Sequence, residues 1–280
     1  MILVALLTAC GPGEAEPFAG SFELLTYNVH GLPEAITGDN TSGRLAQIAP
    51  LLAEYDLLGL QEDWIDDNHA VLAAAVELPT YDRWNEPLDA QRAYGAGLST
   101  WASLPAEETV HTYFTDCYGV FDDASDCLAS KGFTALRLSL PSGDSFDLYN
   151  SHLEAGSGEG DDPARAANVD QLIASMEGWS AGQAVVFVGD TNLGGDSEVD
   201  QAEVDRWLGA TGLSDACDLL GCPEPGRIDR ILVRDGEGVT LTPSAWRVDD
   251  RMVDGAGVEL SDHDAIAVTL SVESGSVHAR

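Results

Sequence analysis

Lysine is almost missing from this chain of 280 residues. Lys131 is the only one, and with twelve arginines it faces 48 acidic side chains, for a formal charge of −35. A surface that negative repels phosphate backbones and offers no basic patch to nucleic acid. It suits a salty or calcium-rich medium. Long apolar runs are lacking as well. The mostly apolar stretch Met1 to Ala9 is too short to cross a bilayer core of ~30 Å as a helix. What is present argues for a folded chain, with 44% hydrophobic residues and six tryptophans. At this length one large core can be buried, and nothing in the composition demands two domains.

Leu7-Thr8-Ala9-Cys10 is similar to a bacterial lipobox, in which Cys10 is lipidated after cleavage. The following Gly-Pro-Gly-Glu-Ala-Glu-Pro reads as a flexible tether, and the missing basic residues ahead of the apolar run point to a start codon further upstream. Residues 1–20 are thus expected to be an export signal and tether, residues 21–273 the folded domain, and residues 274–280 a tail. The expected location is outside the cytoplasm, as a cell-envelope lipoprotein or, alternatively, a secreted protein. By proximity Cys117 pairs with Cys127 and Cys217 with Cys222, one of three possible pairings. Disulfides agree with an oxidising compartment.

The stretch around which the chain is organised is Ala184-Val-Val-Phe-Val-Gly-Asp-Thr-Asn192, an apolar strand buried on both faces and followed by polar residues at its carboxyl end. Alternation predicts that Asp190 and Asn192 face one site. Phe22 to Val29 reads as a strand ending near Asn28. Ser42 is expected to cap a helix carrying Leu45, Ile48, Ala49 and Leu52. Leu57 to Leu60 is a second apolar strand, ending in Gln61-Glu62-Asp63, and Asn68 to Leu78 is helical. Short strands are expected at Tyr81–Trp84, Gly97–Ser103 and His111–Phe114. Phe133–Leu140 and Phe146–Asn150 form a hairpin about Pro141-Ser-Gly143, running into Ser151-His152. Pro163 opens a helix through Met176, and an acidic helix covers Val199 to Leu208. Arg227 to Val233, Val239–Leu241, Ala245–Val248 and Ala265–Leu270 complete the strands. Helices and strands alternate with hairpins mixed in, so the expectation is one α/β domain with mixed sheets.

Five strand ends deliver Asn28, Glu62, His152, Asp190 with Asn192, and Asp262 with His263, while Asp229 lies within a sixth strand. Polar groups gathered at strand ends are how α/β folds build sites. Carboxylates, amides and two histidines together suit metal-assisted phosphoester hydrolysis: Glu62 and Asp262 hold a divalent cation, one histidine activates water and the other assists the leaving group.

In this order, Thr26-Tyr-Asn-Val-His30, Gln61-Glu62, Ser151-His152, Gly189-Asp-Thr-Asn192, Arg227-Ile-Asp229 and Ser261-Asp-His263 resemble the endonuclease/exonuclease/phosphatase superfamily, which includes DNase I-like nucleases, inositol polyphosphate phosphatases and bacterial neutral sphingomyelinases. The resemblance covers roughly residues 21 to 272. It implies a four-layer α/β/β/α sandwich of two mixed sheets. It also implies Glu62 as principal metal ligand with Asn28 beside metal and phosphate, and Asp262 as a further metal or orienting carboxylate. His263 becomes the general base oriented by Asp229. Asp190 and Asn192 position nucleophile and phosphoryl group, and His152 is the electrophilic or general-acid partner.

Cys117 to Phe133 and Tyr149 to Ala155 are similar to secreted sphingomyelinase-type phospholipases C, and Lys131 is a candidate phosphate contact. One departure stands out: no aromatic-tipped hairpin follows Asn192, where lipid-cleaving members enter membrane. The leading expectation is an exported Mg²⁺-dependent phosphodiesterase, sphingomyelinase or phospholipase C-like; Mn²⁺ and Ca²⁺ suit the same ligands. The alternatives are a secreted DNase I-like endonuclease and a surface-anchored binding module that has lost catalysis. The expected partner is a phosphodiester substrate, with membrane contact through the lipid anchor. No protein partner is inferred, and the chain reads as a monomer. His30 is expected just behind the site.

Overall fold

A computed structural model describes residues 16–120, 125–223 and 226–275. The lipobox and Cys10 lie outside the described residues. The elements in order are β1 (Phe18–Asn28), α1 (Glu34–Thr37), α2 (Thr41–Leu52), β2 (Leu57–Gln61), α3 (Asp66–Ala75), β3 (Thr80–Trp84), β4 (Leu98–Ala102), β5 (Ala106–Tyr113), β6 (Gly132–Ser139), β7 (Ser145–His152), α4 (Asp161–Gly178), β8 (Ala184–Asp190), α5 (Glu198–Thr211), β9 (Ser214–Asp215), α6 (Ala216–Leu220), β10 (Asp229–Arg234), β11 (Val239–Val248) and β12 (Ile266–Ser274).

These strands make two mixed six-stranded sheets, ordered β11-β12-β1-β2-β4-β3 and β5-β6-β7-β8-β10-β9. Alternation explains why the central strands are apolar throughout. Leu24, Val186 and Val188 point between the sheets into one core with Leu57, Leu136, Leu148, Ile231 and Val268. Their neighbours point outward: Leu25 meets α2 and α3 through Ile48 and Leu72, and Val185 and Phe187 meet α4 and α5 through Leu172 and Trp207. Every residue of β8 is therefore buried. The result is a four-layer α/β/β/α sandwich. Among the described residues, no helix is long and apolar enough to cross a membrane.

Several local expectations shift. The helix cap is Asn40, whose side chain accepts from the Gly43 amide at 3.0 Å, so the helix starts at Thr41 and Ser42 lies inside it. Asn40 also precedes a Thr-Ser pair, and adjacent polar residues compete for the capping role. The helix expected at Asn68–Leu78 runs from Asp66 to Ala75, ending where Val76 turns extended. Residues 239–248 form one strand with an irregularity between Pro243 and Ala245, because proline removes one ladder donor without ending the pairing with β12. The first strand starts earlier than Phe22, since β1 begins at Phe18 and pairs with Ser274. Cys117 and Cys127 are disulfide-bonded, as are Cys217 and Cys222.

Two parallel pairings set where the site lies. β1 pairs with β2 across α2, and β7 pairs with β8 across α4. Their carboxyl ends, Asn28, Gln61, His152 and Asp190, fall at one end of the sandwich. The antiparallel neighbour β10 starts there, with Asp229 opposite Asp190. A buried polar seam ties the sheets near this end. Asn150 on β7 donates to the carbonyls of Leu60 (3.2 Å) and Ser99 (3.1 Å) and accepts from Gln61 at 2.8 Å. Gly59 makes the approach possible, because a β-carbon there would lie 2.3 Å from Val188 and 3.0 Å from Asn150. Gly59→Ala should therefore destabilise the fold by about 1–3 kcal/mol; urea unfolding followed by tryptophan fluorescence measures it.

Candidate active site

β1 ends at Asn28 with its side chain turned toward the second sheet. Its amide donates to Glu62 Oε1 at 3.0 Å and to Asp190 Oδ2 at 3.0 Å, and lies 3.4 Å from His263 Nε2. One fully buried amide thus joins three strand ends. Its Oδ1 accepts from the His30 backbone amide at 3.0 Å, and its backbone carbonyl accepts from Ser261 Oγ at 2.7 Å, which anchors the loop carrying Asp262 and His263.

Glu62 follows β2 in a left-handed conformation (φ 61°), as do His30 (φ 48°) and Asn192 (φ 50°). Three such side-chain-bearing residues in one site mark strain held by its surroundings. Burial pushes the Glu62 carboxyl above its ordinary pKa, with the Asn28 hydrogen bond opposing. Its Oε2 is shielded from water and has no hydrogen-bond partner. The nearest basic nitrogen is His30 Nδ1 at 4.0 Å.

Asp229 and His263 form a pair, Oδ2 to Nδ1 at 2.8 Å. With Nδ1 engaged by Asp229, Nε2 is the ring nitrogen that faces Asn28, 3.7 Å from Asp190 Oδ2. Burial and then Asp190 push the Asp229 pKa upward. Burial opposes charge on His263, but the Asp229 hydrogen bond and the carboxylates of Asp229, Asp190 and Asp262 together raise its pKa. Ligand atoms of Asp190, Asp229 and His263 lie within 4.8 Å of one another, and Asp229 Oδ1 is buried without a partner. His152 Nε2 lies 3.3 Å from Asp190 Oδ2, while its Nδ1 is buried without a partner. Burial holds its pKa well below the ordinary value, which favours the neutral ring.

The structure thus brings together Asn28, Glu62, His152, Asp190, Asp229 and His263. The others sit differently. Asn192 lies just past the end of β8. Its left-handed backbone breaks the alternation, its amide N–H bonds back to Asp190 Oδ1 at 3.0 Å, and its side chain donates to the Leu153 carbonyl at 3.1 Å. Lys131 is buried and spends its ammonium on the same carbonyl (2.8 Å) and on Asp126 (2.7 Å). Asp262 is mostly exposed and pairs with His30 Nδ1 at 3.1 Å, which puts His30 between it and Glu62. Asp229 is the first residue of its strand and not an interior one. Between Asn192 and α5 no strand occurs among the described residues, in keeping with the missing hairpin, and Trp207 is buried under β8.

Sequence reasoning missed Ser261 as the anchor of the His263 loop, and Trp64, whose ring centroid lies 6.4 Å from that of His152. A serine two residues before a histidine gives no periodic signal. Two clefts flank the cluster: one of about 280 Å³ includes Arg227, Asp229 and His263, and one of about 550 Å³ includes Trp64, Arg83 and Tyr94.

A buried carboxylate oxygen without a donor, beside carboxylates that repel one another, fits a divalent cation with oxygen ligands. Glu62 Oε2 is that oxygen, and Asp190, Asp229 and His263 offer a second group of ligand atoms.

Comparison with known proteins gives consistent likenesses. Sphingomyelinases of Mycobacterium bovis and Mycobacterium tuberculosis are 26% identical over 96% of this chain. The chain spans just over half, 56%, of their length. Among solved structures, beta toxin from Staphylococcus aureus with bound magnesium ions superposes with a TM-score of 0.66 at 15% identity, covering 89% of this chain and 99% of the toxin. Sphingomyelinase C from Streptomyces griseocarneus gives 0.64 at 19% identity, with 89% and 99% covered. D. rerio TDP2 complexed with a single-strand DNA product gives 0.65 at 19%, with 89% and 98% covered. Residues 25–263, from β1 through His263, match the Endonuclease/Exonuclease/phosphatase family, and the chain belongs to that family.

Proposed function

We propose that this chain is an exported, divalent-metal-dependent phosphodiesterase of the sphingomyelinase or phospholipase C kind. The observation that carries the reading is the single amide of Asn28, which ties the Glu62 carboxylate, Asp190 and Nε2 of His263 into one cluster. Glu62 would hold the cation, with Asn28 steering its carboxylate. A bound Mg²⁺ supplies Lewis-acid polarisation of a phosphoryl oxygen and a positive field against the carboxylates around His263.

The remaining work belongs to the side chains. His263 Nε2 is placed to take a proton from water, since Asp229 fixes the opposite ring nitrogen. Asp190 orients that water. Neutral His152 donates a hydrogen bond to developing negative charge on the phosphoryl or leaving oxygen. Asn192 and Lys131 support this set indirectly, both holding the Leu153 carbonyl next to His152. The mycobacterial relatives named sphingomyelinase support a phospholipid head-group substrate. The −35 charge weighs against a DNA substrate. Export rests on the amino-terminal lipobox-like stretch and the two disulfides.

His263→Ala should lower kcat by about 10²–10⁴-fold while leaving the circular dichroism spectrum unchanged. Glu62→Gln should abolish the response to added Mg²⁺. Near-parental turnover in either variant would overturn these roles. Sphingomyelin vesicles and plasmid DNA offered side by side, with Mg²⁺ and then EDTA, test the substrate. Phosphocholine release that stops with EDTA is expected. DNA nicking without phosphocholine release would make the chain a nuclease.

A further inference from the structure

The Glu62 turn is held by a buried polar chain that lies outside the catalytic cluster. Asp63, fully buried, accepts at Oδ2 from Ser99 Oγ at 2.6 Å and bonds His69 Nδ1. The other ring nitrogen of His69 meets the Tyr81 hydroxyl, and the two rings stack with Trp101 beneath them. This chain joins β2's exit to α3, β3 and β4.

The backbone on both sides is pinned as well. The Asp63 amide donates to the Gly97 carbonyl at 2.9 Å, and Asn85 Nδ2 donates to the Trp64 carbonyl at 2.8 Å. The Glu62 carbonyl is approached so closely by Gly31 that a β-carbon there would sit 2.2 Å away. Gln61, on the other side, is committed to Asn150 and Thr26 between the sheets. Between these two anchors the backbone must reverse the usual alternation, and Glu62 takes the left-handed conformation that aims its carboxylate at Asn28.

We propose that Asp63 and His69 are positioning residues that fix the strained Glu62 turn and so set its carboxylate for a divalent cation. The inference rests on the reading of Glu62 as a cation ligand. Asp63 faces His69 on α3, Ser99 on β4 and, through His69, Tyr81 on β3. Its second oxygen has no partner, so its hold on the turn runs through Ser99 and His69. Residues that orient a metal ligand typically change metal affinity by about 10–100-fold when removed.

The test is calorimetric titration of the purified metal-free chain with Mg²⁺, for the parent, His69→Gln, Asp63→Ala and Asp63→Asn. The expected order of affinity is parent, then Asp63→Asn, which keeps an acceptor for Ser99 and His69, then His69→Gln and Asp63→Ala, weakened about 10–100-fold. Turnover in His69→Gln should recover toward the parental kcat at saturating Mg²⁺, because the reacting groups are untouched. Ser99→Ala, which removes one donor and leaves the rings in place, should weaken Mg²⁺ binding to a smaller degree and serves if the other variants fail to fold. A lowered melting temperature with parental Mg²⁺ affinity would overturn the proposal and leave Glu62 as ligand. A parent chain that binds no Mg²⁺ would overturn the cation reading itself, and this proposal with it.

Discussion

Two asparagines on neighbouring strands from different sheets carry the architecture of the active end. Asn150 sits between the sheets and donates to carbonyls of β2 and β4, a directional link from one sheet to the other. Asn28 crosses the same gap a few residues nearer the edge, with both amide hydrogens spent on carboxylates of opposite sheets. An amide can do this where a carboxylate or an aliphatic residue cannot, because it donates twice without bringing charge. The sandwich core below is held by non-directional burial, which fixes the spacing of the sheets but not their register to each other. The polar seam adds direction at the end where register matters.

The same geometry creates the electrostatic problem that defines the site. Glu62, Asp190 and Asp229 are brought close in a poorly hydrated setting, and burial pushes Glu62 and Asp229 upward in pKa. The single lysine lies nearby, paired with Asp126 and hydrogen-bonded to the Leu153 carbonyl. Protonated His30, beside Asp262 and 4.0 Å from Glu62, and protonated His263, beside Asp229, bring positive charge to the cluster. A divalent cation would relieve that repulsion.

Strand ends and their order were legible because β-strands here are long enough and apolar enough to show period or continuous burial. β8 is the clearest case, with all seven residues buried between two helices and the opposite sheet. Local departures were not legible. Asn192 was assigned by alternation to the same face as Asp190, yet one left-handed residue turned its side chain to Leu153. Pro243 suggested two strands where pairing with β12 carries one across an irregularity. The cap at Asn40 lost to Ser42 in the sequence because neighbouring polar residues score alike until the backbone selects one.

By itself the sequence determined the fold class, the inventory of four carboxylates and two histidines, and the strand ends that carry it. These follow from hydrophobic period and from residue type, both local properties. Tertiary structure alone decided which groups meet. It placed Asp229 against His263 Nδ1, buried His152 and so lowered its pKa, sent Asp262 to His30 and committed Lys131 to a carbonyl and an aspartate. Those outcomes depend on distances between segments far apart in the chain and on how far each is removed from water, and neither quantity is written in any one stretch of residues.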